Sequence, residues 1–510
     1  MLARAFSVQQ VGLSADIVVI ETDATRGIPS FSMIGLAEKG IQEAKDRIFT
    51  ALTHSALSID KDELPRKIVI SLAPAHRKKE GSHFDVAIAL SYLKAAGCIS
   101  YDEKSFVALG ELALSGEILP VPGIFTLTAT LFDAGFTTII VPEINAPEAS
   151  LVSGMTVLSA KNLDEVITYA HKGDPLVLKK DIAPLVVYTP SMPVLNKQYS
   201  VDFAHVKGHE VIKRGLEIAA AGRHNVALYG PPGTGKSMLA KAFISILPPL
   251  STEEALEVTR IYSSAGNATP NLMYVPPFRS PHHSASHVSV IGGGSTPRPG
   301  EITLAHRGVL FLDEFPEFDR RVIETLRQPI EDGFVHITRA KASHTFPSNF
   351  QLIVAFNPCP CGFRGSGFKE CTCSQSAIAG YERKLSGPIV DRIDIWLPVP
   401  HIEYEELSST EEGESSQIIR DRISKALDIQ RARFNFKTKT NADLSAKEIE
   451  THASLALNEQ KLLNVAANKL KLSPRSYHRV IKVARSIADL ANAENIESEH
   501  LLEALQYRPK

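Results

Sequence analysis

Apolar residues recur with two different periods along residues 1–172. The runs ADIVVIET (15–22) and RKIVISLAP (66–74) are short and rich in β-branched residues, which predicts strands. EKGIQEAKDRIFTALTHS (38–55) and FDVAIALSYLKAAG (84–97) repeat their apolar positions at helical spacing. FVALGELALSGEILPV (106–121) predicts a hairpin turning at Ser115-Gly116, and TLTATLFDAGFTTIIVPE (126–143) a helix followed by a strand. Residues 173–200 hold several prolines and no period, as a linker does. Strand–helix alternation with glycine-rich punctuation returns over 201–400. Residues 401–510 begin with an acidic polar stretch, EELSSTEEGESS, that predicts a solvated loop. They then turn helical, in SQIIRDRISKALDIQRARF and SYHRVIKVARSIADLANA. The pattern predicts an α/β chain of several domains, which a length of 510 residues also requires.

Composition changes this picture little. With 44% hydrophobic and 22% charged residues the chain reads as globular. A net charge of −2 excludes a polybasic protein, so any nucleic-acid contact must be local or built by assembly. No apolar run reaches the roughly 18 residues of a membrane span, and the N-terminus lacks a signal-peptide pattern. The expectation is a cytoplasmic protein without membrane contact, in which clustered cysteines point to metal or redox chemistry.

HNVALYGPPGTGKSMLAKAFISIL carries the chemistry. An apolar strand, Val226 to Tyr229, runs into Gly230-Pro231-Pro232-Gly233-Thr234-Gly235-Lys236-Ser237, which fits G-x-x-x-x-G-K-[ST]. Met238, Leu239, Ala242 and Ile246 give the following helix an apolar face. Glycines let backbone N–H groups turn inward around a phosphate, and the helix N-terminus adds partial positive charge. Lys236 can then reach the β- and γ-phosphates of ATP, and Ser237 can hold Mg²⁺. The buried run GVLFLDEF ends in Asp313, a second Mg²⁺ ligand, and Glu314, which would polarise the attacking water. FQLIVAFNP ends in Asn357, placed either to bond the γ-phosphate or water, or simply to cap a turn before Pro358. Arg392, between Asp391 and Asp394, is either a local salt bridge or an arginine finger reaching a neighbouring subunit's γ-phosphate.

FNPCPCGFRGSGFKECTCSQ holds four of the five cysteines: Cys359, Cys361, Cys371 and Cys373. Four thiolates suit tetrahedral Zn²⁺, although C-x-C is tighter than the usual C-x₂₋₄-C. Reduced, unliganded or redox-active thiols are the alternative. Phe363, Arg364, Phe368 and Lys369 of this loop would face a neighbour or DNA.

Together these residues resemble the ComM/YifB family of magnesium-chelatase-like AAA+ ATPases. HVKGHEVIKRGLEIAAAGRHNVALYGPPGTGKSMLAKA, PPFRSPHHSASHVSVIGGG, RPGEITLAHRGVLFLDEFPEF, LRQPIEDG and VAFNPCPCG…LSGPIVDRIDI follow that family's text over nearly the whole chain. The resemblance implies a P-loop AAA+ parallel-sheet core with a C-terminal helical lid. Lys236 and Ser237 become Walker A and Asp313 and Glu314 Walker B. Asn357 becomes sensor 1, Arg392 the trans-acting finger, and Arg475 the sensor 2 arginine. About 262–307 matches a helix-2 insertion, and Phe334 to Phe346 a pore hairpin. Arg279, Arg298, Arg339 and Lys341 become candidate DNA-backbone contacts. His282, His283 and His287 are assigned to packing or to the pore rather than to a metal.

Residues 80–145 resemble the proteolytic domain of Lon proteases, a ribosomal S5-like α+β fold. Here the nucleophile position falls on His83, beside Ser82, and the lysine position on Phe125, which cannot accept a proton. The implied protein is a homo-hexameric ATPase acting on single-stranded or branched DNA, a helicase or branch-migration motor as in natural transformation. A chelatase-like metal-insertion subunit and an ATP-dependent protease are the alternatives, the latter disfavoured by Phe125.

Overall fold

The computed structural model describes residues 2–25, 28, 30–35, 43–55, 67–75, 79–172, 182, 184–188, 201–267, 271–294, 298–339, 342–365, 367, 369–385, 389–402, 413–435 and 438–508. They form two compact units: residues 1–194 with 255–273, and residues 195–254 with 274–510. Most of the expected linker, and Lys341 and Phe368, lie outside the described residues. No helix among the described residues is long and apolar enough to cross a membrane.

The first unit is α+β. Leu2–Val11 and Ser14–Thr25 pair antiparallel around a tight turn at Gly12, and Lys67–Ala73 adds a third strand. Ser14–Thr25 buries Val18, Ile20, Thr22 and Ala24 on one face, the period-two pattern of a half-buried strand. Helix Asp85–Ala95, buried along nearly its whole length, packs against these strands. A second sheet sets Val107–Ala108, Thr138–Pro142 and Thr156–Ala160 parallel, with Val186–Val187 on its edge. The expected hairpin is present as Glu111–Leu112 with Ile118–Leu119.

The second unit is built on five strands: β1 (Val226–Tyr229), β2 (Phe278–Arg279), β3 (Val309–Leu312), β4 (Gln351–Phe356) and β5 (Ile395–Pro398). Their order is β2-β3-β4-β1-β5, all parallel. β3 and β4 are buried at every position, which is why they read as unbroken apolar runs. Helix α1 (Lys236–Ile246) follows β1. The short helix α2 (Arg327–Asp332) leads into the hairpin Phe334–Arg339/Ala342–Pro347. Helix α3 (Gln375–Leu385) follows the cysteine loop, and helix α4 (Pro474–Leu490) is the best-buried C-terminal helix. The C-terminal helices share one hydrophobic core with the sheet, in which Leu216, Leu239, Phe243, Ile423, Ala484 and Leu501 are all buried.

Candidate nucleotide and metal sites

Three loops leave the same edge of the parallel sheet, at the C-terminal ends of β1, β3 and β4. Chain direction therefore brings Lys236, Asp313 and Asn357 together. Lys236 Nζ donates to the Gly230 carbonyl (2.8 Å), the Pro231 carbonyl (2.6 Å) and Asn357 Oδ1 (3.1 Å). Burial pushes its pKa down, and Asp313 opposes that shift. Ser237 Oγ donates to Asp313 Oδ2 at 2.5 Å, so both expected Mg²⁺ ligands already touch. Gly235, at φ 85°, opens α1 in the left-handed region that favours glycine. Thr234 braces the loop by donating to the Pro231 carbonyl at 3.0 Å. Met238 departs from the expected apolar face. It is 38% exposed beside Gly235, whereas Leu239, Ala242 and Ile246 are buried.

Glu314 holds a left-handed backbone at φ 51°, a strained value for a residue with a Cβ. Its N–H donates to Asp313 Oδ1 at 2.9 Å. Its carboxylate lies 3.2 Å from His283 Nδ1. Spacing in the sequence gives no hint that this histidine faces Glu314. His282 bonds Ser284, and His287 is exposed at the start of a short helix.

Arg392 and Arg475 stand elsewhere. Arg392 precedes β5, and the β1–β5 register pairs Val226 with Ile395. Asn225 Nδ2 donates to the Arg392 carbonyl at 2.9 Å. Arg392 therefore lies at the edge where β1 begins, while the phosphate loop leaves where β1 ends. A four-residue strand spans about 13 Å at roughly 3.3 Å per residue. Among the described residues, the Arg392 guanidinium pairs with Glu331, as does Arg475 at 2.6 Å. Asp394 instead accepts from the Asn225 N–H (3.0 Å) and faces His224 and Arg479. Burial raises its pKa, but His224, Arg479 and that N–H together hold it below the usual range. Arg479 of α4 also donates to the carbonyls of Ile393 and Asp391 (2.5 and 2.6 Å), clamping the turn that carries Arg392. No spacing in the sequence assigns a role to Glu331, which lies within the LRQPIEDG run, or to Arg479.

The four cysteine sulfurs lie within 4.8 Å of one another. Sγ–Sγ distances of 3.4, 3.7 and 3.5 Å link Cys359, Cys361 and Cys371, and Cys373 Sγ accepts from the Cys361 N–H at 3.3 Å. Disulfides would need about 2.05 Å. Tetrahedral Zn–S bonds of about 2.3 Å put sulfurs about 3.8 Å apart, so the donor set fits zinc. Backbone N–H groups of Phe363 and Thr372 help hold the Cys361 thiol down to about 5. The loop packs on the glycine-rich turn that follows β1. Gly362 abuts Pro232, and the Tyr381 hydroxyl of α3 bonds the Asn357 backbone. Arg364 pairs with Glu382, and Lys369 lies over the Phe363 ring, 4.9 Å from its centre.

Of the expected DNA contacts, Arg279 donates to Glu301 in a bidentate pair (2.6 and 2.7 Å). Arg298 is exposed, and the Arg339 side chain lies outside the described residues. In the first unit, His83 Nε2 donates to the Val8 carbonyl at 2.7 Å, and burial pushes its pKa down to about 4. Ser82 donates to Glu111, and Phe125 is buried. Among the described residues no lysine ammonium bonds Ser82; Lys79 is directed to the Pro74 carbonyl.

Three family models match the chain: "Magnesium chelatase, subunit ChlI" over residues 202–407, "Subunit ChlI of Mg-chelatase" over 20–145, and "Magnesium chelatase, subunit ChlI C-terminal" over 413–508. The chain is 39% identical to competence protein ComM of Haemophilus influenzae, covering 99% of this chain and 97% of that protein. It is 40% identical to YifB of Salmonella typhimurium, covering 98% and 95%. A more distant match, 22% identical over 60% of this chain and 36% of the other, is the maternal DNA replication licensing factor mcm6 of Xenopus tropicalis.

Proposed function

From the premise that this chain belongs to the ComM/YifB family of magnesium-chelatase-like AAA+ ATPases, we propose that it is an ATP-driven ring motor acting on DNA. One observation carries the reading. Lys236 and the pair Arg392/Arg475 stand at opposite edges of one sheet, so each nucleotide would be completed by arginines from a second copy. That head-to-tail arrangement closes into a ring, a homo-hexamer in this proposal.

Within the site, Lys236 would leave the loop carbonyls for the β- and γ-phosphates, and Asn357 would orient the γ-phosphate or the attacking water. Glu314, oriented by His283, would polarise that water. Arg392 and Arg475 of the adjoining copy would neutralise charge on the transferred phosphoryl group, an effect worth about 10³–10⁵ in rate for a finger. Mg²⁺ held by Ser237 and Asp313 would supply charge neutralisation at the phosphates. Zinc on the four cysteines would be structural, tying the Asn357 strand and the phosphate loop to α3.

DNA as the substrate is supported by the competence protein among the relatives, by the replication factor at greater distance, and by the hairpin Phe334–Arg339/Ala342–Pro347. Helicase or branch-migration work on recombination intermediates, in the cytoplasm, is the specific form proposed. A chelatase-like subunit is the second reading, favoured by the names of the family models. The test is the ATPase rate with single-stranded DNA, branched DNA, an unfolded protein or a porphyrin. DNA stimulation supports the motor. No stimulation at low salt rejects it, because phosphate contacts are strongest there.

A further inference from the structure

Arg392, Arg475 and the hairpin meet at a single carboxylate. Glu331 Oε1 accepts from Nη2 of both arginines, and Arg392 is the larger cause of its depressed pKa. The three residues come from separate elements: α2, the turn before β5, and α4. They line one cleft of about 660 Å³. α2 ends at Gly333, left-handed at φ 74°, and the hairpin begins at the next residue, Phe334.

We infer that Glu331 is a positioning residue that restrains both arginines in the place a phosphate oxygen would take, and that its release couples nucleotide engagement to the DNA hairpin. This rests on the trans arrangement proposed above. Two guanidiniums repel at this distance unless an anion lies between them. One carboxylate between them relieves that repulsion, and a phosphate oxygen could take its place. A guanidinium that turns to an incoming phosphate must give up Glu331. α2 then loses its tether to β5 and α4, and the hairpin that continues from α2 becomes free to shift. In the other direction, DNA that moves the hairpin would pull Glu331 from the arginines and release them for hydrolysis. DNA stimulation and arginine release thus become the same event.

The experiment measures ATPase kcat and KM, with and without single-stranded DNA, for wild type, Glu331→Gln, Glu331→Asp, Arg392→Ala and the Glu331→Gln/Arg392→Ala double variant. Glu331→Gln should raise the DNA-free kcat about threefold or more at little-changed KM, and bring DNA stimulation close to onefold. Glu331→Asp should restore part of the stimulation. The rise should vanish in the Arg392→Ala background. A DNA-free kcat that falls or stays at the wild-type value, or a rise that persists without Arg392, overturns the inference. Wild-type activity in Arg392→Ala alone would instead reject the trans arrangement itself, so the two failures are distinct.

Discussion

Gly362 of the cysteine loop lies so close to Pro232 of the phosphate loop that a Cβ on Gly362 would come within 2.7 Å of Pro232 Cδ. Gly362 also has φ 86°, a value strained for any residue with a side chain. Gly362→Ala should therefore weaken ATP binding several-fold while zinc content stays at wild type. Titration with a fluorescent nucleotide, alongside metal analysis, checks both. Unchanged affinity would show that the two loops touch without influencing each other.

The sulfur spacing predicts one zinc per chain in freshly purified protein. Cys371→Ser should lose the metal and lower Tm, because structural zinc sites contribute about 10–16 kcal/mol of folding energy in peptides. A metal-free wild type with the same Tm would remove zinc from the account.

Lys236→Ala and Asp313→Asn should each reduce ATP turnover by about 10² or more, since each removes charge stabilisation of the transferring phosphoryl group. Glu314→Gln should retain nucleotide binding and lose hydrolysis. Full turnover in the Lys236 variant would displace the site from this loop.

His283→Ala should lower kcat with little change in KM for ATP, because His283 faces Glu314 and not the phosphate loop. The loss should be smaller than that of Glu314→Gln, and His283→Ala should add no further loss to the residual activity of the Glu314→Gln variant. Additive losses would mean that the 3.2 Å contact is incidental.

Asp394 gives a pH prediction. Its folded pKa lies below the ordinary aspartate value, so the stability it contributes is present at neutral pH and lost as pH falls through the folded value. Asp394→Asn should cost about 3–5 kcal/mol near neutrality, as breaking a buried pair does. That deficit should shrink below about pH 4. Melting curves from pH 7 to pH 3 measure it, and a pH-independent deficit would count against the assignment.

The phosphate loop, Asp313, Glu314 and the cysteine pairs were legible in the sequence because their chemistry is written in contiguous residues: glycines before a helix, carboxylates closing an apolar strand, thiols at short spacing. The strands beneath them were legible because a strand buried on both faces has no polar alternation to interrupt it. Periodicity could not say which edge of the sheet each loop would leave, since that depends on strand order and direction. Tertiary structure alone set Arg392 opposite Lys236, paired its guanidinium with Glu331, and drew Arg475 to the same carboxylate. It also turned His283 toward Glu314 and laid Gly362 on Pro232. The physical reason is range. Local sequence governs backbone preference and which face is buried, whereas a guanidinium goes to whichever carboxylate the packed fold brings within hydrogen-bonding reach, here one 61 residues earlier in the chain for Arg392 and 144 for Arg475.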